Sequence, residues 1–188
     1  MARKKTRRKA EDEYTSLAIR VEDYHVEVRA AINYEMYLTR PSRDVDYRDP
    51  VFRFNTDLTI VGTSTSPKKR VGERYELAIF GDDAPSRHLH MTIDDAQAHD
   101  ERGVPQYRTY RGDSLPVYKA PPGIAVLHKV RGEPRWGAYV TALPRFVSDL
   151  LLLLGSGKSL YVALDERKDR RTRWMQSLSL QTTDPSEE

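Results

Sequence analysis

The chain has 188 residues, a formal net charge of +3 and no cysteine, which excludes a disulfide framework, a thiol nucleophile and zinc sites built on thiolates. Its longest aliphatic run, Leu150 to Leu154, is far below the roughly 20 residues of a transmembrane helix, and the charged N-terminus carries no secretory h-region. These features imply one soluble, intracellular domain, expected in the cytoplasm, large enough to bury a substantial core.

Residues 1–13 read as a flexible basic arm. Arg3, Lys4, Lys5, Arg7, Arg8 and Lys9 precede the first acidic residue, Glu11. Taking those six from 31 Lys plus Arg leaves 25 against 28 Asp plus Glu, so the body carries about −3 and the basic pI belongs to the arm. Residues 14–182 form the β-rich globular domain, and 183–188 an acidic tail. Leu17, Ile19 and Val21 alternate at odd positions, whereas Tyr24, Val26, Val28, Ala30, Ile32 and onward to Leu38 alternate at even ones. The phase change at Glu22-Asp23 predicts a bulge or tight turn. Period two predicts a strand with Val28 and Ile32 in the core and Glu27 and Asn33 in water.

Arg40 to Pro50, rich in Asp, Ser and Pro, reads as a loop. Phe52, Phe54, Leu58 and Ile60 make a second half-buried strand, and Gly62 to Gly72 a turn region. Tyr75, Leu77 and Ile79 begin another strand, followed by one with Leu89, Met91 and Ile93 inward. Residues 94–123 form a long irregular excursion of the kind that often carries function. Ile124 to Val130, apolar on both faces, predicts a strand covered on each side.

Pro144 to Leu154 predicts a helix, with Pro144 in the first turn, Gly155 as C-terminal cap, and Phe146, Leu150, Leu153 and Leu154 on one side. A buried strand is the alternative for that segment. Leu160, Val162 and Leu164 make a strand, residues 166–173 a basic loop, and Trp174 to Leu180 the last strand. The fold class is mostly β: a single-domain antiparallel β-sandwich or barrel with one helix near 144–154 and a flexible basic arm.

Four constellations could carry chemistry. Gly155-Ser156-Gly157-Lys158-Ser159 lacks the earlier glycine of a phosphate-binding loop and precedes a strand instead of a helix, so it reads as a turn. His88-Leu89-His90 with Asp94, and His128 after Pro121-Pro122-Gly123, resembles the metal-binding pattern of cupins, although aspartate stands where glutamate is usual and His128 comes two residues late. That resemblance implies a metal-dependent enzyme using His88, His90 and His128; without it no metal or other cofactor is expected. Tyr107-Arg108-Thr109-Tyr110-Arg111 interleaves aromatic and guanidinium groups that can stack on bases and pair with phosphates, or anchor a protein interface. Arg167, Lys168, Arg170, Arg171 and Arg173 form a second basic cluster beside Trp174.

No hydrolase elbow or carboxylate pair is visible. The pattern therefore points to a non-enzymatic binding protein that engages nucleic acid, DNA or RNA, or a nucleoprotein complex, through the arm, the Arg/Tyr segment and the second basic cluster. The competing expectation is a protein–protein interaction or capsid-like assembly subunit without nucleic-acid affinity. Neither implies a membrane.

Overall fold

The computed structural model describes residues 13–32, 51–81, 92–119 and 121–187. In chain order its strands are β1 (Glu13–Ile32), β2 (Phe52–Ser66), β3 (Arg74–Gly81), β4 (Tyr107–Tyr110), β5 (Asp113–Pro116), β6 (Ala125–Lys129), β7 (Arg135–Ala142), β8 (Tyr161–Asp169) and β9 (Thr172–Gln181). Seven of them close into a barrel in the order β1-β2-β3-β7-β6-β9-β8, while β4 and β5 pair separately. The sandwich is thereby excluded. The barrel pairings are antiparallel except one: β3 and β7 run parallel, with Tyr75 opposite Trp136 and Ile79 opposite Val140. Parallel neighbours require a long crossover, and here the chain between them includes the whole excursion and β6.

Closure gives the barrel one interior, filled by side chains that alternate inward along each strand. Leu17 and Ile19 of β1, Leu58 and Ile60 of β2, Leu77 and Ile79 of β3, and Val162 and Leu164 of β8 are all buried there. Each such aliphatic side chain stabilises the fold by about 1.5–3 kcal/mol relative to exposure. At the phase change the β1–β2 register slips between Val21 and Asp23. Glu22 is the extra residue, so Val21 and Val26, of opposite parity, both pack on the core. Gly62, opposite Val21, permits the close approach: a Cβ there would lie 2.4 Å from the Arg20 carbonyl oxygen and 2.8 Å from Ile19 Cγ2.

Helix α1 (Pro144–Leu154) starts at Pro144 and ends where the Gly155 N–H donates to the Leu151 carbonyl. It packs on β2, β3 and β9 at the barrel end where β3 finishes, burying Val147, Leu150 and Leu154. Phe146 and Leu153 instead remain partly exposed, so the buried stripe is rotated from the expected one. Five successive leucines satisfy several helical phases equally well, and only the barrel end selects among them. The Gly155–Ser159 segment is the connection from α1 to β8, with no helix after it.

The largest departure concerns β1 and β2. Strand β8 accompanies β1 only as far as Arg20, opposite Tyr161, and β3 accompanies β2 only from Thr56, opposite Gly81. Beyond those points β1 and β2 continue, among the described residues, as a two-stranded ribbon pairing Val28 with Thr56, Ala30 with Phe54 and Ile32 with Phe52. Val28 is 77% exposed, Phe54 68% and Phe52 60%. The expectation that Val28 and Ile32 belong to the core is therefore overturned. Their alternation is real, but among the described residues nothing packs on their face. The arm at 1–12, residues 33–38 of the long alternating stretch, the loop at 40–50 and residues 89–91 of the expected strand lie outside the described residues.

Candidate nucleic-acid interface

Residues 92–119 are ordered by their own hydrogen bonds. The Ala98 N–H donates to the Val117 carbonyl at 2.7 Å, the Gln106 N–H to the Ala98 carbonyl at 2.8 Å, and the Lys119 N–H to the Ala96 carbonyl at 2.8 Å. Asp100 Oδ1 accepts from the backbone N–H groups of Arg102 and Val104, closing an Asx-type turn. On this small frame stands the β4–β5 hairpin. Its two-residue turn, Arg111 with φ 51° and Gly112 with φ 94°, has the two positive φ values that match the twist of tight hairpins. The excursion is mostly irregular, as expected, but its own hydrogen bonds hold one regular element, the β4–β5 hairpin.

All four residues of β4 are exposed. Tyr107 pairs with Pro116 and Thr109 with Ser114, whereas Arg108 pairs with Leu115 and Tyr110 with Asp113. Alternation consequently places Tyr107 on one face and Arg108 with Tyr110 on the other. The Arg111 guanidinium sits 5.3 Å from the Tyr110 ring centre, a cation–π contact. The hairpin therefore does not present two tyrosines side by side. It presents one, Tyr110, with Arg108 on the same face and Arg111 over its ring.

The second basic cluster is divided by the fold. Arg170 and Arg171 form the exposed turn between β8 and β9. Lys168 makes an ion pair with Glu13 at 3.2 Å, and Lys69 joins the same carboxylate at 3.0 Å. Those two lysines hold the Glu13 carboxyl down at about 2, against an ordinary 4.5. Arg167 is buried and donates to the Pro122 carbonyl oxygen at 3.2 Å. Arg173 turns inward to Glu166, with which it is hydrogen-bonded.

Those inward groups belong to a charged layer across the barrel end opposite α1. Glu166, 1% exposed, is its centre: Arg173 reaches one oxygen, and Arg70, from the short helical turn at Lys68–Arg70, lies 3.4 Å away. Arg70 also bonds Glu73 and donates to the Tyr75 hydroxyl at 2.6 Å. Burial disfavours the Arg70 cation, yet Glu73 and Glu166 hold its pKa above the ordinary value, while burial pushes the Tyr75 hydroxyl up. Trp136 receives the Arg173, Arg70 and Lys129 cations at 4.9, 5.3 and 5.4 Å from its ring centre. Glu166, Arg70 and Arg173 are partnered within this layer, as buried charges demand, whereas the buried Arg167 Nε has no hydrogen-bond partner among the described residues. The layer closes the barrel with fixed partners and leaves Arg170 and Arg171 as the outward cations of the β8–β9 turn.

No family model, curated protein or solved structure matches the chain.

The cupin-like histidines are not assembled. His88 and His90 lie outside the described residues. His128 sits between buried Leu127 and Lys129 on the outer face of β6, where its ring stacks on Tyr139 at 5.4 Å. Asp94 is exposed in the excursion. Among the described residues no group of three or more His, Cys, Asp or Glu side chains could hold a metal. No helix among them is long and apolar enough to cross a membrane. The basic arm, Arg3 to Lys9, also lies outside them.

Sequence reading missed Glu166, Arg70 and Trp136, and the strand β7 that carries Trp136. A signal existed for the strand: Trp136, Ala138 and Val140 alternate, and Ala138 and Val140 are buried. None existed for the ion pairs, since Arg70 and Glu166 are 96 residues apart.

Proposed function

We propose that the protein is a non-enzymatic binding protein for nucleic acid, alone or in a nucleoprotein complex. The observation that carries this reading is the exposed face of the β4–β5 hairpin, where Tyr110 stands with Arg108 beside it and Arg111 over its ring. A base can stack on such a ring while flanking guanidinium groups pair with phosphates. Arg170 and Arg171 at the β8–β9 turn, and the six cations between Arg3 and Lys9, add sequence-independent attraction. Arg167, Lys168 and Arg173 are left out of the contact set, because they already serve internal partners.

Fluorescence anisotropy with labelled single- and double-stranded oligonucleotides, titrated across salt, tests this. The logarithm of affinity falls linearly with the logarithm of salt, and replacing Arg170 and Arg171 by glutamine makes the slope shallower by about 0.7–0.9 per lost contact. Tyr110→Ala lowers single-strand affinity by roughly 1–3 kcal/mol with little change in slope. Tyr107→Ala, on the opposite face, has the smaller effect. Undetectable binding of either strand form at about 50 mM salt overturns the proposal.

A further inference from the structure

The β1–β2 ribbon combines two features that soluble proteins normally avoid together. Its face of Tyr24, Val28, Ile32, Phe52 and Phe54 is apolar and exposed. Its β1 edge is also open: after the Val21 N–H, which donates to the Leu160 carbonyl at 2.9 Å, β1 has β2 on one side and no described strand on the other. An open edge presents a row of N–H and C=O groups to any strand that fits. No proline interrupts β1, and its edge is long enough for regular pairing.

The charges along that edge specify what fits. An antiparallel pairing of β1 with a second β1 about a two-fold axis sets each residue opposite the one equally far from the centre. Centred on Glu27, it opposes two Glu27 side chains and sets His25 against Arg29. Centred on Arg29, it opposes two Arg29 side chains. Centred on Val28, it sets Glu27 of each copy against Arg29 of the other. Val26 then meets Ala30, Tyr24 meets Ile32, and Val28 meets its own copy. Any register offset by one residue would turn the two apolar faces to opposite sides of the joined sheet. Within one chain Glu27 and Arg29 already pair at 2.6 Å on the polar face, so both groups are positioned to exchange partners. A register centred on Val26 is also free of like-charge clashes, but Val28 lies farther from the barrel wall, where two bodies have more room.

We propose that the free edge of β1 pairs with the same edge of a second copy, antiparallel and centred on Val28. The result is an isologous dimer whose four-stranded sheet carries both apolar ribbon faces on one side.

Two measurements on the full chain test this. Because the chain has no cysteine, Val28→Cys introduces a single thiol on the proposed axis. Directly opposed strand residues are about 4.5–5.5 Å apart at Cα, within disulfide reach. Mild oxidation then yields a covalent dimer, whereas Ser156→Cys on the α1–β8 turn does not. In sedimentation equilibrium, Glu27→Arg weakens the dimer by about ten-fold, since two attractive cross-strand contacts become repulsive. Glu27→Arg combined with Arg29→Glu restores it. A monomer at every soluble concentration overturns the proposal. So does a dimer whose affinity is indifferent to both the single reversal and the swap, which would place the contact elsewhere.

Discussion

Replacing Glu166 by glutamine removes one negative charge from the barrel interior and almost no volume. In the native protein that carboxylate lies between Arg173 and Arg70, the latter 6% exposed. Without it, two guanidinium groups share a small, largely dry space around Trp136 with one fewer anion. Breaking a buried ion pair by removing one partner costs about 3–5 kcal/mol. Arg70 keeps Glu73 and Tyr75, and Arg173 is 24% exposed, so the lower end applies: about 3 kcal/mol. At about 2–4 °C per kcal/mol for a chain of this size, Tm falls by roughly 6–12 °C. Urea unfolding followed by circular dichroism reads the change as a lower midpoint at unchanged slope. Adding Arg173→Met to Glu166→Gln removes one orphaned cation and recovers about 1 kcal/mol, a coupling that a double-mutant cycle isolates. A Glu166→Gln protein within about 0.5 kcal/mol of the parent would refute the reasoning, because the layer would then be hydrated and not buried.

Leu58→Asp unfolds the protein, because it buries an unpaired charge, whereas Val28→Asp on the exposed ribbon changes the stability of dilute protein by less than about 0.5 kcal/mol in thermal melts. Gly62→Ala lowers stability by about 1–3 kcal/mol in urea, since its methyl group would meet the Arg20 carbonyl and Ile19 at sub-contact distance. The Glu13 carboxyl, held below its unfolded value by Lys69 and Lys168, contributes stability that is present above about 4.5 and is lost as pH falls towards about 2. Glu13→Gln should therefore flatten the acid limb of a stability–pH profile in that window and leave its neutral limb with the same slope. An acid limb identical in the variant would count against the pairing.

Strand content, the helix and the bulge follow from local pattern. Period two marks the faces of β1, β2, β3, β8 and β9, the phase change between Val21 and Tyr24 marks the register slip, and Pro144 with Gly155 brackets α1. These signals are legible because they arise from neighbours along the chain, where sterics and alternation act directly. What covers an alternating face is a different matter. The same pattern runs through Leu17 to Val21 and Tyr24 to Ile32, yet the first stretch and Val26 pack on the core while Val28 to Ile32 extend past it, because β8 starts opposite Arg20 and the β2–β3 pairing stops at Thr56. Closure, the parallel β3–β7 pair and the division of the basic cluster were likewise decided in three dimensions. Whether Arg170 or Arg173 faces water depends on Glu166, whose inward direction depends on a barrel formed by strands from both ends of the chain. Sequence fixes what each side chain can do; the contacts made by residues distant in the chain decide which of them remain available to a partner.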